Sequence, residues 1–347
     1  MPERQPMSRM LRFTRAVPAL LGLLLAVGLA PAASAAPAPA VPAVSSAAAP
    51  IHAYPTTRNA PAARPLAVGV DTRAGSPPLI FHAGGSVMPN VRNVLVFWDG
   101  GNTAAFQPNY VALLQRWQKD AQGTLVYTTN GQYTGVNGKP TTTTYGATYR
   151  VHAPFPTGHC TNPYAPVCVT NDDIANVAKS VATAHGIAPG LGTIVYVYTP
   201  VGVGSCFTAT CQDASYGQYC AFHSYVPYKT GQLIYADMPH PSSPLDDCRL
   251  TNGAERFPND PFADPAVSIT NHEQGEAISD PLINAWFDAA RYENGDECAY
   301  KFFGTLAGKK GNTFSHTHTY DVQAMGSNKS SGCVVDSHPM GEPVPTV

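Results

Sequence analysis

From Asn271 to Asp280 the chain reads Asn-His-Glu-Gln-Gly-Glu-Ala-Ile-Ser-Asp, and two of its side chains able to bind a metal, His272 and Glu276, are four residues apart. On a helix that spacing stacks them on one face, with Glu273 one step round the axis. In the His-Glu-x-x-His zinc proteases the two histidines hold the ion and the intervening glutamate activates a water. Here a carboxylate stands in the second position, and a carboxylate binds zinc but also suits calcium or manganese. The expectation is that His272 and Glu276 are the first two ligands and Glu273 the general base. The competing reading is an amphipathic helix with a solvated acidic face and a packed histidine.

A third ligand must come from elsewhere. Asp280 continues the stripe at i+8, Asp296 and Glu293 can fold back after Trp286, and His223, His316 and His318 are the imidazole candidates. Asp288, Glu293 and Asp296 also form a candidate oxygen site for a structural calcium, with Gly295 allowing a sharp turn. Between Glu255 and Cys298 there are ten carboxylates and only two basic residues, Arg256 and Arg291. That much acid repels itself unless it is well solvated or shares a cation.

The helix carrying the motif is predicted over 265–279. Asp264 is the expected N-cap, Pro265 suits the first helical position, and Asp280 before Pro281 marks the stop. Upstream, the β-branched and aromatic run 91–98 predicts a buried strand ending at Asp99-Gly100-Gly101. A helix follows over 109–122, with Val111, Leu114, Trp117 and Gln118 inward and Gly123 as its stop. Strands are expected at 125–133, at the threonine-rich 141–149 and at 193–198. Another helix starts at Asn171-Asp172-Asp173, with Ile174, Val177, Ala178 and Val181 inward and Gly186 ending it. Segments 220–225 and 233–238 flank Lys229-Thr230-Gly231 as a hairpin, and 312–322 is a late strand. Nearly continuous apolar strands belong in a sheet covered on both faces. The order predicts an α/β fold, a mixed layered sheet with flanking helices.

Residues 1–35 read as a secretory signal: Arg4, Arg9, Arg12 and Arg15, then an apolar stretch from Val17 to Leu29, then Ala33-Ser34-Ala35. Residues 36–65, mostly alanine, proline, valine and serine, read as a linker or propeptide. Residues 66–347 are then a single α/β domain. Without residues 1–35 the chain has 17 basic and 22 acidic residues, net −5. That balance points away from nucleic acid and anionic membranes. The eight cysteines, all from Cys160 onward, predict disulfides in an exported chain. Short spacings favour Cys160–Cys168 and Cys206–Cys211; the other four cysteines allow three pairings, and Cys220–Cys248 with Cys298–Cys333 is the one expected. No Cys-x-x-Cys pair exists to favour a cysteine zinc site.

Several of these segments resemble a secreted family related to the plant phosphate-induced, or Exordium-like, proteins, especially its bacterial and fungal members. The resemblance rests on Cys220-x-x-His223, on Asn271 to Glu276 with Ser279-Asp280-Pro281, on Trp286-x-Asp288 and on Glu293-x-Gly295-Asp296-x-Cys298. It extends to Tyr320-x-Val322-Gln323 and Ser327-Asn328, and covers roughly 91–334. It implies secretion and disulfides and no settled chemistry. The order of strands, hairpin and His-Glu helix is also similar to zinc-protease domains, a zincin-like arrangement.

Other chemistries lack their signatures: there is no Gly-x-Ser-x-Gly elbow, phosphate loop or dinucleotide fingerprint. Glu273 and Glu276 on one helix point the same way and do not flank a glycosidic bond. The function expected is a secreted metal-dependent hydrolase, peptidase-like, acting on a peptide or cell-wall substrate, with zinc held by His272, Glu276 and a choice among Asp280, Asp296 and His223. The alternative is a non-catalytic extracellular cell-wall or glycan-binding protein with a structural calcium.

Overall fold

A computed structural model describes residues 53–55, 78–122, 129–242, 248–249, 257–302, 313–315 and 318–335. All of them belong to the compact unit Ala47–Val347. The expected signal and most of the linker lie outside the described residues.

The strands are β1 Ala53–Pro55, β2 Ile80–Phe81, β3 Asn90–Trp98, β4 Thr142–Val151, β5 Val167–Thr170, β6 Thr193–Tyr198, β7 Val203–Cys206, β8 Tyr219–Tyr228 and β9 Gly231–Met238, then β10 Trp286–Phe287, β11 Thr313–Ser315, β12 His318–Tyr320, β13 Met325–Ser327 and β14 Gly332–Val334. The α-helices among the described residues are α1 Pro108–Asp120, α2 Asn171–Ala184 and α3 Ala263–Ser279. One six-stranded sheet, in the order β1-β8-β9-β6-β3-β4, organises them. Strands β4, β3, β6 and β9 run parallel, β8 is antiparallel to β9, and β1 is antiparallel to β8. The fold is therefore the mixed α/β sheet expected, with helices on both faces.

Alternation along the strands sorts two cores. Leu95, Phe97, Tyr196 and Tyr198 pack with α1 and α3 residues such as Leu114, Trp117, Val267 and Ile278. Val94, Val96, Val195 and Val197 pack with Ile174, Ala178 and Val181 of α2 on the opposite face. Such period-two sorting is what a sheet covered on both sides requires. Helix α2 begins with a reciprocal cap: the Thr170 hydroxyl accepts from the Asp173 amide, and the Asp173 carboxylate accepts from the Thr170 amide.

Four disulfides join Cys160–Cys168 and Cys206–Cys211, the pairs favoured by spacing, and Cys220–Cys248 and Cys298–Cys333, the pairing expected of the other four. The last ties the turn at Asp296–Cys298 to β14, so it helps position Asp296.

Four details depart from expectation. Thr129–Gln132 is a 3-10 turn and not the end of a strand, because Asn130-Gly131 favours a turn and the Asn130 side chain is drawn inward to accept from Asn294. Residues 125–128 of that expected strand lie outside the described residues. Asp264 sits inside α3, where its carboxylate accepts from the Asn259 and Asp260 amides; Asp260 accepts from the Phe262 and Ala263 amides and does the capping. The late strand is split into β11 and β12. Finally, Ala53–Pro55, inside the stretch read as linker, is an outer strand of the main sheet.

His240, just beyond β9, supplies a stability test. It is buried against the ring of Tyr110, with centroids 4.5 Å apart, and its Nδ1 accepts from the Ser242 amide. Burial, only partly opposed by Asp260, pushes its pKa down to about 4. The unfolded chain then takes up a proton near pH 6.5 that the folded chain refuses until about pH 4. Stability present above pH 6.5 is lost as the pH falls through this window, at up to about 1.4 kcal/mol per unit. His240→Phe is expected to be less destabilised than the wild type between pH 7 and pH 4.5, by about 2–3 kcal/mol in urea denaturation.

Candidate metal centre

Helix α3 is the centre of the site, and all 17 of its residues are buried. That removes the solvated acidic face: His272, Glu273 and Glu276 lie in the interior. A buried ionised carboxylate is costly unless paired or coordinated. The partners come from three other segments. β8 contributes His223, the turn after β10 contributes Glu293 and Asp296, and the coil between β12 and β13 contributes Gln323.

Two groups form, and Glu276 belongs to both. In the first, His272 Nε2 lies 2.8 Å from Glu276 Oε1 and 3.7 Å from Asp296 Oδ1. The Asp296 amide donates to the same Oε1 at 2.9 Å. In the second, His223 Nδ1 lies 3.7 Å from Glu273 Oε2 and 3.8 Å from Glu276 Oε2. In each group three ligand-type atoms converge closely enough to share one ion. Several of these atoms have no aligned hydrogen-bond partner: His223 Nδ1, His272 Nε2, Glu276 Oε2 and both oxygens of Glu273. Orphaned buried acceptors facing imidazoles are a donor set that fits a divalent cation.

Charge makes the same point. Glu273, Glu276, Asp280, Glu293 and Asp296 bring five carboxyl groups together with two imidazoles. With both imidazoles protonated, full ionisation would still leave three negative charges uncompensated among these groups. Burial and Glu276 accordingly push Glu293 and Asp296 far above the usual carboxylate range. Burial also raises Glu273, with His223 partly opposing it. For Glu276, burial acts upward, but His272 and His223 outweigh it and hold the group down to about 2. Burial acts downward on both imidazoles; Glu273 and Glu276 nonetheless lift His223 to about 10, and Glu276, Glu273 and Asp296 lift His272 to about 9.

The ring polarities differ. His223 Nε2 faces the Asp280 carbonyl at 3.1 Å, so that nitrogen donates, leaving Nδ1 pointed at the two glutamates. A ligating histidine usually has such a second partner. His272 Nδ1 faces Gln323 Nε2 at 2.7 Å, and the same amide nitrogen donates to the Gly295 carbonyl at 2.9 Å. The Gln323 oxygen accepts from the Tyr300 amide, which fixes the amide nitrogen toward the ring, so Nδ1 accepts and the ring proton sits on Nε2, facing Glu276 Oε1. Gly295 is required by packing: a Cβ there would lie 2.7 Å from Glu276 Oε1 and 2.8 Å from His272 Nδ1.

The remaining candidates fall outside both groups. Asp280 Oδ1 accepts from the Asn284 and Ala285 amides at 2.6 Å, so this carboxylate closes the turn after α3, and its carbonyl orients His223. Asp288 accepts from the Ala290 and Tyr292 amides and shapes its own loop. Glu293 approaches from the other side, 3.9 Å from His223 Nε2. His318 pairs with Asp120 at 2.7 Å, outside both groups, and His316 lies outside the described residues. Two participants had no chemical signal in the sequence. Gln323 stood in the Tyr320-x-Val322-Gln323 resemblance with no role attached. Tyr54 lay in the alanine-proline stretch, yet it is buried with its ring 4.4 Å from that of His272.

No family model, curated protein or solved structure matches this chain. The reading of the site therefore stands on its own residues. No helix among the described residues is long and apolar enough to cross a membrane.

Proposed function

We propose that the protein is a secreted metal-dependent hydrolase of the peptidase type, with zinc held by His272, Glu276 and Asp296 and with Glu273 as general base. One observation carries this reading: a wholly buried helix brings His272, Glu273 and Glu276 together with His223 and Asp296, so that ligand-type atoms converge in the interior. The imidazoles favour zinc over calcium, which prefers an all-oxygen shell of six to eight atoms. Four disulfides accord with an extracellular setting. A helix lying under an antiparallel strand pair accords with a zincin-like arrangement, and the motif likeness to the Exordium-like family accords with export.

A bound zinc would polarise the scissile carbonyl and acidify a water. The chain's own residues do the rest. Glu273, raised by burial, takes the water proton and returns it to the leaving amine. His223, beside Glu273 and Glu276, holds both carboxylates in place and limits the build-up of negative charge. Gln323 sets the ring of His272.

Elemental analysis of purified secreted protein, paired with a broad peptide library, tests the reading. About one equivalent of zinc and chelator-sensitive cleavage are expected. Protein that holds no metal and cuts no peptide would leave the extracellular binding protein as the better account, and calcium without cleavage would point to a structural ion.

A further inference from the structure

The candidate ligands are buried, and one of the side chains burying them comes from β1, the short outer strand of the main sheet. Tyr54 of β1 is buried, edge-on to His272 at 4.4 Å and to Tyr300 at 5.1 Å. Its backbone pairs with β8: Ala53 with Phe222, Tyr54 with Ala221 and Pro55 with Tyr219, with an irregularity after Tyr54. The next residue of β8 is His223, a member of the metal cluster. We propose that the outer edge of β8 and the pocket filled by Tyr54 form a cleft for an extended peptide bearing an aromatic side chain, with residues 53–55 as its internal occupant.

Several features carry the assignment. Strand β8 is held by β9 at seven register positions, from Phe222 to Tyr228, so the sheet does not need β1 to retain β8. β1 has three residues, one of them a proline that offers no amide to the ladder. With β1 lifted away, β8 would be a bare edge, the surface to which extended peptides add as a strand. The Tyr54 hydroxyl is buried and meets the side chain of Tyr300. The pocket is therefore filled by the ring, with Tyr300 at the phenol, and it selects an aromatic side chain. Anything that reaches His272 from this side must displace that ring. Opening at β1 thus reconciles complete burial with turnover. The proposal rests on the hydrolase reading for the fate of a bound peptide, but not for its binding.

The test uses the full chain with a specific protease site inserted between residues 65 and 66. The probe is a fluorescent peptide with the sequence of residues 51–57, Ile-His-Ala-Tyr-Pro-Thr-Thr. Cutting the chain should raise the probe's affinity at least about 10-fold, and alanine in place of its tyrosine should bind at least about 10-fold more weakly. In the uncut protein, amide exchange at residues 220–222 should be at least about 10-fold faster than at residues 234–236 of β9. A cut segment that never exchanges with excess probe, a cut chain that unfolds as the segment leaves, or equal protection of the two strands would each overturn the proposal. Probe binding without metal or cleavage would keep the cleft and remove the hydrolase. Cleavage of other peptides undiminished by saturating probe would do the reverse.

Discussion

Glu273→Gln is expected to lower peptide hydrolysis by about 10²–10⁴-fold while bound zinc stays near one equivalent. Glutamine keeps the size and one oxygen of the side chain but cannot take a proton from water. Glu276→Gln should lose activity and metal together. Its two oxygens face different imidazoles, Oε1 toward His272 and Oε2 toward His223, and one becomes an amide nitrogen that repels a cation. His272→Ala should resemble Glu276→Gln. The measurement is metal content and kcat/KM across the three variants, with thermal unfolding to exclude misfolding. If Glu273→Gln emptied the site as completely as Glu276→Gln, Glu273 would be a ligand alongside His223 and not the base. That outcome would move the ion to the second group. Unchanged activity in folded Glu273→Gln would end the hydrolytic reading at this residue.

Chelation of the purified protein is expected to lower its Tm by about 10 °C. An ion present at about 1,000 times its Kd stabilises the folded state by about 4 kcal/mol, and a domain of this size shifts by about 2–4 °C per kcal/mol. The physical source is the buried charge. Without a cation, Glu273, Glu293 and Asp296 must take up protons or repel one another, since burial and Glu276 already raise the last two well above the normal range. The shift should shrink as the pH falls, because protons compete with the ion for the same atoms. A double change of Glu276→Gln and Glu293→Gln should make the Tm indifferent to chelator. A wild-type Tm that does not respond to chelator or added zinc would show that protons alone neutralise the cluster.

How much of this was legible beforehand divides along range of contact. The stacking of His272 over Glu276 follows from helical pitch, and the stop at Asp280 follows from the proline after it. Strands β3 and β6 were legible because continuous β-branched runs have few alternatives in a layered α/β chain. The two short disulfide loops, Cys160–Cys168 and Cys206–Cys211, followed from their spacing. None of these needs knowledge of a distant residue.

What the sequence by itself determined, then, was the local set: a helix with His272, Glu273 and Glu276 in register, the strands that flank it and a disulfide-bonded α/β class. The tertiary structure decided the rest. The solvated acidic face stood as a competing reading of α3 because local periodicity cannot reveal that other segments close over a helix. His223 reaches Glu276 across 53 positions and Gln323 reaches His272 across 51, and such approaches are set by sheet order and by the Cys298–Cys333 link. Tyr54 is the extreme case, 218 positions from His272 in a stretch whose composition promises no structure. Its burial depends on an exposed edge of β8 and a ring-sized gap beside the helix. Both exist only once the sheet has formed, because a strand edge and a pocket are properties of the assembled backbone and not of any segment in it.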